Sequence, residues 1–159
     1  MKTLVLYYSY GGNTRRIAEQ IQQALNCDIA EIATVTPYTG SYDDVVNQGQ
    51  READSGFEPP VRPLDKNPGE YDTVILGTPV WWHTFAPAVK TVLSACDWSG
   101  KTIYPFATNG GWIGHTFKDI ERTCAGAAVK NGLNIRFDED SLQTSTAHID
   151  RWIAQIKEG

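Results

Sequence analysis

Apolar and polar residues follow one another along the chain in blocks that predict strands and helices in alternation. Two runs, 3–8 and 73–77, are almost wholly apolar or β-branched, which is typical of strands covered on both faces. Shorter or more mixed runs at 28–32 and 101–108 predict two further strands, and residues 134–138 alternate as an edge strand does. The pattern therefore predicts five strands.

Apolar residues recur at helical spacing between these strands. A polar surface helix is also predicted from about Ser41, its N-cap, with Asp43 and Asp44 in the first turn, and the rest of 34–70 is expected to run over the surface. Pro87 suits the first turn of the helix that follows the third strand. The apolar positions that define the other helices are Ile17, Ala18, Ile21, Ala24 and Leu25; Val89, Val92, Leu93 and Cys96; Phe117, Ile120 and Cys124; and Ile149, Trp152, Ile153 and Ile156.

Strands that alternate with helices imply a parallel sheet with right-handed crossovers and helices on both faces. We therefore predict an α/β fold with a three-layer, doubly wound, five-stranded sheet. The first and third strands are the most uniformly apolar and hence the most central, which favours the order 2-1-3-4-5. Pro105 lacks a ladder donor and argues against a regular interior position in the fourth strand.

The composition narrows the class of protein. A chain of 159 residues predicts one domain, and a net charge of −5 disfavours a nucleic-acid partner, which is bound through surplus Lys and Arg. Cys27, Cys96 and Cys124 lie far apart, so we expect apolar packing residues in a reducing compartment and no metal site. The chain has no apolar run of membrane-spanning length and no signal-peptide pattern near its start, and we expect a cytoplasmic protein without a membrane partner.

Three loops follow the predicted strands at the edge of the sheet where such folds bind ligands. The first contains Ser9, Tyr10, Gly11, Gly12, Asn13 and Thr14. Its glycines let the backbone approach a ligand closely, its polar side chains offer donors, and the following helix directs free N–H groups at an anion. A tight turn in which Thr14 only caps the helix is an equal alternative.

Several kinds of phosphate loop are excluded by the sequence. The chain has neither the GxxxxGK[ST] triphosphate loop nor the GxGxxG dinucleotide fingerprint. The first loop contains no cysteine nucleophile, and no acidic pair follows the first strand to bind magnesium. If the loop binds a ligand, a non-catalytic cradle for a phosphate monoester remains.

The second and third loops are rich in tryptophan and glycine. The second, 78–85, contains Trp81 and Trp82, two adjacent indoles that cannot easily face one core, so a flat heteroaromatic ligand could stack there; core packing is the usual alternative. The third, 108–115, has three close glycines and Trp112, which suggest backbone groups lining a ligand or a merely flexible loop.

Taken together, the three motifs resemble those of the flavodoxin-like flavoproteins, especially the short-chain bacterial group with a Trp-Trp second loop. The matching segments are 9–14, 77–82 and 106–111, in this order, and the resemblance covers essentially the whole chain. It implies FMN as cofactor, with the phosphate in the first loop and the isoalloxazine ring between the second and third. It also supports a strand at 101–108 despite its proline.

The resemblance also implies the cofactor-binding residues. Ser9, Asn13 and Thr14 would hold phosphate oxygens with the amides of residues 10–13. Ring contacts would come from the other two loops, where His83 replaces a frequent glycine and Trp112 a small residue. The residues expected there are Thr78, Pro79, Val80, Trp81, Trp82, His83, Thr108, Asn109, Gly110, Gly111 and Trp112.

The function implied is electron transfer between redox protein partners through bound FMN, with no catalytic side chain and a monomer or weak dimer. The alternative is an NAD(P)H-dependent FMN reductase that acts on quinone-like acceptors, and a third possibility is a binding module without redox turnover. No basic cluster for dinucleotide phosphates stands out in the sequence, which favours the carrier.

His83 is interpreted either as a solvent-facing loop residue or as a pH-sensitive charge near the flavin. The segment 138–140 is interpreted as a solvated acidic edge or as part of a docking surface.

Overall fold

Parallel strands form the centre of the computed structural model, which describes residues 2–159. The five long strands are β1 (Thr3–Tyr8), β2 (Asp28–Ile32), β3 (Thr73–Trp81), β5 (Thr102–Asn109) and β7 (Leu133–Asp138). Three two-residue strands complete the sheet: β4 (Thr84–Phe85), β6 (Ala128–Val129) and β8 (Ser141–Leu142). The predicted five strands are therefore present, and the count of five was too low because short pairings leave no periodic signal.

The long strands lie in the order β2-β1-β3-β5-β7, which is the predicted order 2-1-3-4-5. All four pairings between them are parallel; Leu4, for example, lies opposite Asp28 on one side and Val74 on the other. The switch in strand order falls between β1 and β3. A ligand at the carboxyl ends of these two strands therefore lies in the crevice that doubly wound folds use.

Residues 2–159 contain five α-helices, four of which connect strands, and a short 3-10 helix at Pro68–Glu70. Helix α2 begins as predicted, because the Ser41 hydroxyl accepts from the Asp44 N–H and the Asp44 carboxylate accepts from the Ser41 N–H. The helices are α1 (Asn13–Leu25), α2 (Tyr42–Ser55), α3 (Pro87–Ala95), α4 (Thr116–Thr123) and α5 (Thr146–Glu158).

Two apolar cores lie on opposite faces of the sheet, which makes the three layers. One face packs α1 and α5 against inward residues such as Val5, Ile75 and Phe106. The other packs α3 and α4 against the alternate residues, among them Leu4 and Leu76. Successive residues of β1 and β3 thus face different cores, which explains why those strands are continuously apolar. The three cysteines are free; Cys124 is buried and the other two are half-buried.

Pro105 lies inside β5, where the sequence argued against a regular position. It pairs with Leu76 of β3, while on the other side β6 pairs only as far as Ile103 and β7 begins at Phe106. The backbone groups of Ile103 face that other side, since its carbonyl accepts from the Lys130 N–H. Pro105, two residues on, faces the same side. Its missing donor therefore lies at the break between β6 and β7.

Two loop predictions were wrong. The segment 78–85 is largely a β-hairpin, because β3 continues to Trp81 and pairs antiparallel with β4. The segment 34–70 does not simply run over the surface: Thr34 bridges Val61, and the buried Tyr38 donates to a Glu52 carboxylate oxygen at 2.5 Å. Neither segment shows the apolar alternation that would have predicted these contacts.

Candidate functional site

The loop between β1 and α1 forms a cradle of backbone N–H groups. Gly11 and Gly12 have φ angles of 84° and 100°, which L side chains rarely adopt, and nothing lies within 4 Å of where their Cβ atoms would be. Gly12, and not Thr14, is the N-cap of α1, and it has no side chain to cap the helix. Within the described chain, the N–H groups of Asn13 and Thr14 have no hydrogen-bond partner. They are free to bind an anion.

The charges around this helix end also suit an anion. The first turn of α1 contains no carboxylate, although carboxylates are stabilising at that position, and it contains Arg15 and Arg16 instead. The Arg15 N–H donates to the Ser9 hydroxyl at 3.1 Å, and its guanidinium is paired with Glu31, whose hydrogen bond raises the pKa of Arg15. A bound anion would offset the unfavourable charge of the arginines at the helix start.

The turn between β7 and β8 lies against the same loop. The Asn13 amide donates to the Glu139 carbonyl at 2.8 Å, and the Arg16 guanidinium donates to the Asp140 carbonyl at 3.4 Å. The exposed acidic residues 138–140 therefore lie beside the cradle. This contact spans 126 residues and was not predicted.

Two residues predicted to bind the cofactor, Thr14 at the phosphate and Thr108 at the ring, face each other below the cradle. The hydroxyls of Thr14 and Thr108 lie 2.8 Å apart, and both side chains are buried. This hydrogen bond joins the start of α1 to the end of β5. The backbone of Thr14 lies at the cradle and that of Thr108 at the third loop. The Thr14 hydroxyl, however, is already hydrogen-bonded to Thr108.

The hairpin between β3 and β4 forms one wall of the site. Trp81 pairs with Thr84, which leaves Trp82 and His83 as the two turn residues, with φ angles of 50° and 71°. Positive φ at both positions is the geometry that matches the twist of a two-residue hairpin, but it is strained for residues other than Gly or Asn. The strained turn places the Trp82 and His83 side chains at the surface.

Trp81 and Trp82 have different surroundings. Trp81 is half-buried and makes edge-to-face contacts with Tyr8, Tyr10 and Tyr38, with ring centroids 5.0–5.9 Å apart. Trp82 is exposed, and its indole N–H donates to the Val46 carbonyl of α2 at 3.0 Å. The adjacent indoles therefore do not share one core, as predicted.

The third loop forms the opposite wall. The Asn109 side chain accepts from the Gly111 N–H at 2.9 Å and so shapes the loop. Trp112 is 66% exposed, and its ring centroid lies 4.3 Å from that of His83. Between the walls is a cavity of about 530 Å³, which we call the ring pocket; it is lined by Val80, Trp82, His83, Asn109, Gly110, Gly111 and Trp112.

Thr78 and Pro79 lie at the base of the hairpin. The Thr78 side chain is fully buried; its hydroxyl accepts from the Ala86 N–H at 3.0 Å and donates to the Pro79 carbonyl at 2.8 Å. This pairing fixes where the hairpin leaves the sheet and where α3 begins. The Thr78 side chain thus positions the wall and does not line the ring pocket.

Asp119 of α4 joins the two walls, and sequence reasoning missed it. Its carboxylate accepts from the Thr84 hydroxyl of the hairpin at 2.6 Å and contacts the His115 ring of the third loop. The backbone N–H of His115 also donates to the backbone carbonyl of His83 at 2.8 Å. Gly114 permits this approach, since a Cβ there would lie 2.3 Å from that carbonyl oxygen. A carboxylate on a helix gives no sequence signal of such a link.

The structure therefore brings the three predicted loops together at the carboxyl ends of β1, β3 and β5. Ser9–Thr14 form the cradle, and all the predicted ring contacts except Thr78, Pro79, Trp81 and Thr108 line the ring pocket. Residues 2–159 contain no group of three or more His, Cys, Asp or Glu side chains placed to hold a metal ion. None of the helices over the same residues is long and apolar enough to cross a membrane.

Comparisons with known proteins give a consistent result. The family model described as flavodoxin matches residues 2–155. A crystal structure of a Bacteroides eggerthii protein assigned to the flavoproteins is 30% identical, with a TM-score of 0.81 and 98% of each chain covered. A Lactobacillus acidophilus flavoprotein in complex with FMN is 22% identical, with a TM-score of 0.75 and 95% and 97% covered. Oxidised flavodoxin 2 from Bacillus cereus is 20% identical, with a TM-score of 0.59 and 99% of each chain covered. Among curated proteins the comparison finds no match.

Proposed function

The chain belongs to the flavodoxin family, and from this premise we propose that it carries electrons between redox proteins through bound FMN. FMN is the cofactor that this membership assigns to the chain. When bound, FMN supplies one- and two-electron chemistry that amino-acid side chains do not provide. The protein's part is to bind it, orient it and set its electrostatic surroundings.

The phosphate of FMN fits the cradle at the start of α1. Ser9 and the free N–H groups of the loop would hold phosphate oxygens, and the helix end adds a partial positive charge. Gly11 and Gly12 keep the loop backbone open to the anion. One monoester needs no lysine in such a cradle, which reconciles phosphate binding with a net charge of −5.

The isoalloxazine ring fits the ring pocket. Trp82 and His83 would lie along one wall and Trp112 on the other, while Asn109–Gly111 supply backbone groups for the polar rim. Trp112 and His83 would limit the access of water to the ring. The observation that carries the proposal is the arrangement of an uncapped helix start and an aromatic pocket side by side at the switch point of the sheet.

A carrier also explains which side chains line the ring pocket. Of the described residues around it, His83 alone is titratable, and none is an acid, a lysine or an arginine. Electron transfer needs no general acid, base or nucleophile. The acidic turn at 138–140 lies next to the site and offers a charged surface on which a basic redox partner could dock transiently.

The alternative, an NAD(P)H-dependent FMN reductase, is favoured by one observation. The ring pocket has a volume of about 530 Å³ and opens at the surface, which leaves room for a second ring beside the flavin. The lining nevertheless lacks cations for dinucleotide phosphates in the part of the chain that the structure describes. We therefore rank the carrier first.

Two measurements test this proposal. The purified protein should show the visible absorbance of bound flavin, and FMN should rebind to the flavin-free chain; a chain that binds no FMN would contradict both functions. Holoprotein mixed with NADPH without oxygen should then keep its flavin absorbance. Rapid direct bleaching would contradict the carrier function and support the reductase function.

The surroundings of the ring predict a lowered potential. Aromatic walls and the adjacent acidic turn disfavour additional negative charge on the bound cofactor. We expect the midpoint potential for the second electron to lie below that of free FMN, as measured by anaerobic titration against redox dyes. A value equal to or above that of free FMN would contradict this electrostatic account.

A further inference from the structure

A second cavity, which we call the aromatic slot, lies on the other side of Trp82 from the ring pocket. It has a volume of about 330 Å³ and lies between α2 and the β3–β4 hairpin. Val80 and Trp82 line both cavities, so these two side chains lie between them. Helix α2 forms the outer wall of the slot, and the lining residues that it contributes, Tyr42, Val45, Val46 and Gly49, belong to neither the cradle nor the ring pocket.

The lining of the slot is aromatic and uncharged. Tyr10, Tyr42, Trp81 and Trp82 form half of it, and no charged side chain occurs among the described residues that line it. A neutral, flat lining suits a neutral, flat occupant, since a buried charge would find no partner there.

Exposed aromatic side chains are concentrated at this cavity. Six large hydrophobic side chains are exposed among residues 2–159, and three of them line the slot: Tyr10 at 45%, Tyr42 at 83% and Trp82 at 37%. Contiguous exposed apolar surface marks interaction sites more often than isolated residues do. Tyr42 does not line the ring pocket, so bound FMN does not account for its exposure, whereas a ligand that stacks in the slot would.

The walls of the slot are held in place without a ligand. The Trp82 indole N–H is fixed by the Val46 carbonyl, and Trp81 is fixed by its three tyrosine contacts. Gly49 lets α2 approach the hairpin, because a Cβ there would lie 3.3 Å from the Trp81 ring. Pre-formed walls reduce the entropy that binding must overcome.

We propose that the aromatic slot binds a neutral, planar aromatic molecule of about two fused rings, beside the FMN ring and separated from it by the Trp82 indole. Aromatic faces supply the stacking, and the hydroxyls of Tyr10 and Tyr42 supply hydrogen-bonding groups near a polar substituent. The volume is at the lower end of the range for small-molecule sites. It is too small for a peptide helix.

The test uses equilibrium dialysis of the FMN-loaded full chain against 2-naphthol, which is neutral, planar and unreactive toward thiols. We expect saturable binding at one site. The matched anion 2-naphthoate should bind about tenfold more weakly or worse, because the lining offers its carboxylate no cation. Equal affinity for the two probes would overturn the proposed chemistry.

Three variants assign the binding to the slot. Val46→Trp, which adds bulk inside the slot, should abolish 2-naphthol binding, and Tyr42→Ala, at a highly exposed position, should weaken it roughly threefold to tenfold. Phe57→Ala is the matched control, since Phe57 is also exposed but lines a different cavity. It should leave the affinity unchanged.

The remaining outcomes are also decisive. Absence of saturable binding, or binding that survives both slot variants, would overturn the proposal. Binding that added FMN displaces would mean that the probe occupies the ring pocket, which also overturns it. Flavin absorbance is measured on every sample, so a chain that fails to bind FMN is recognised separately. Dialysis of the flavin-free variants then still tests the slot.

Discussion

At the scale of single residues, Gly77 is required by the close contact of two central strands. It lies opposite Phe106, and a Cβ at position 77 would lie 2.2 Å from the Phe106 ring, which is fully buried. Gly77→Ala should therefore lower the free energy of unfolding by about 1–3 kcal/mol through overpacking. Urea denaturation of the flavin-free protein measures it.

Gly110→Ala provides the control for that substitution. The nearest atom to a Cβ at Gly110 is 4.0 Å away, so its stability should stay within about 0.5 kcal/mol of the parent chain. If Gly77→Ala proved as stable as this control, the Phe106 ring would have room to move and the packing argument would fail.

Residue types predicted the candidate site better than they predicted residue orientations. Glycine and hydroxyl residues at 9–14 predict a phosphate cradle, because such backbones and donors suit an anion, and in the structure this loop leads into a helix start that no side chain caps. The pairing of the Thr14 and Thr108 hydroxyls could not be predicted, since it joins residues 94 positions apart. A sequence shows which groups are available, whereas the packing of distant elements decides which of them are already engaged.

At the scale of elements, Asp119 links the hairpin to the third loop, so that α4 holds both walls of the ring pocket. Asp119→Ala removes the acceptor for the Thr84 hydroxyl and the contact with His115. We expect the free energy of unfolding to fall by about 1–3 kcal/mol and FMN affinity to fall with it. Urea denaturation and FMN fluorescence titration measure the two effects.

Two further variants show whether that effect belongs to the link. Asp119→Asn keeps an oxygen acceptor for Thr84 and should lie between the parent chain and the alanine variant. Glu121→Ala changes a neighbouring exposed carboxylate on α4 and should bind FMN as the parent chain does. Unchanged FMN affinity in Asp119→Ala would mean that the walls hold their positions independently.

The elements themselves were largely predictable, and the exceptions have physical causes. The Ser41 capping box and the five long strands follow from local chemistry and periodicity. The β3–β4 hairpin was missed because Trp82 and His83 are not residues that favour a tight turn. The sequence argued against a regular strand at Pro105. The break between β6 and β7 accommodates this proline, but it lies more than twenty residues further along the chain and gives no local signal.

At the scale of the whole molecule, the acidic turn at 138–140 should govern association with basic partners. A variant with Asp138→Asn, Glu139→Gln and Asp140→Asn should reduce a basic c-type cytochrome roughly tenfold more slowly at low ionic strength and with a weaker dependence on salt. Stopped-flow absorbance of the reduced holoprotein measures this. FMN should bind at least as tightly as in the parent chain, since the turn contacts the cradle through backbone carbonyls and the substitutions remove negative charge beside the phosphate.

A variant that neutralises Glu70, Asp97 and Glu158 is the matched control for charge number. Glu70 and Asp97 precede β3 and β5, and Glu158 lies near Lys2, so all three lie toward the amino ends of the strands. This variant should react at nearly the parent rate. Equal slowing in both variants would assign the effect to net charge alone.

The raised pKa values of two cysteine thiols predict how the stability of the molecule depends on pH. Burial raises the pKa of Cys27 to about 11 and that of Cys124 to about 12, from an ordinary value of 9.0. The unfolded chain therefore loses these protons first as the pH rises. The free energy of unfolding should be insensitive to these thiols below pH 9 and fall between pH 9 and about 12.

Urea denaturation over that pH range measures the effect, and Cys124→Ala is the informative variant. It should be less stable throughout, because it loses buried packing, yet its stability should fall less steeply with pH. Burial also raises the pKa of Tyr8, which adds a slope of the same sign at higher pH. A parallel pH profile for the two proteins would show that Cys124 does not contribute.

In the proposed carrier, the strained turn at Trp82 and His83 would set stability against affinity for FMN. A left-handed conformation at a residue other than glycine costs on the order of 1–3 kcal/mol, and this hairpin contains two in succession. Selection of variants for heat resistance alone would therefore favour Asn-Gly at positions 82 and 83, which relaxes the backbone. The more robust protein would have neither the indole that divides the two cavities nor the imidazole that meets Trp112. Laboratory evolution of this fold needs flavin retention as a second criterion.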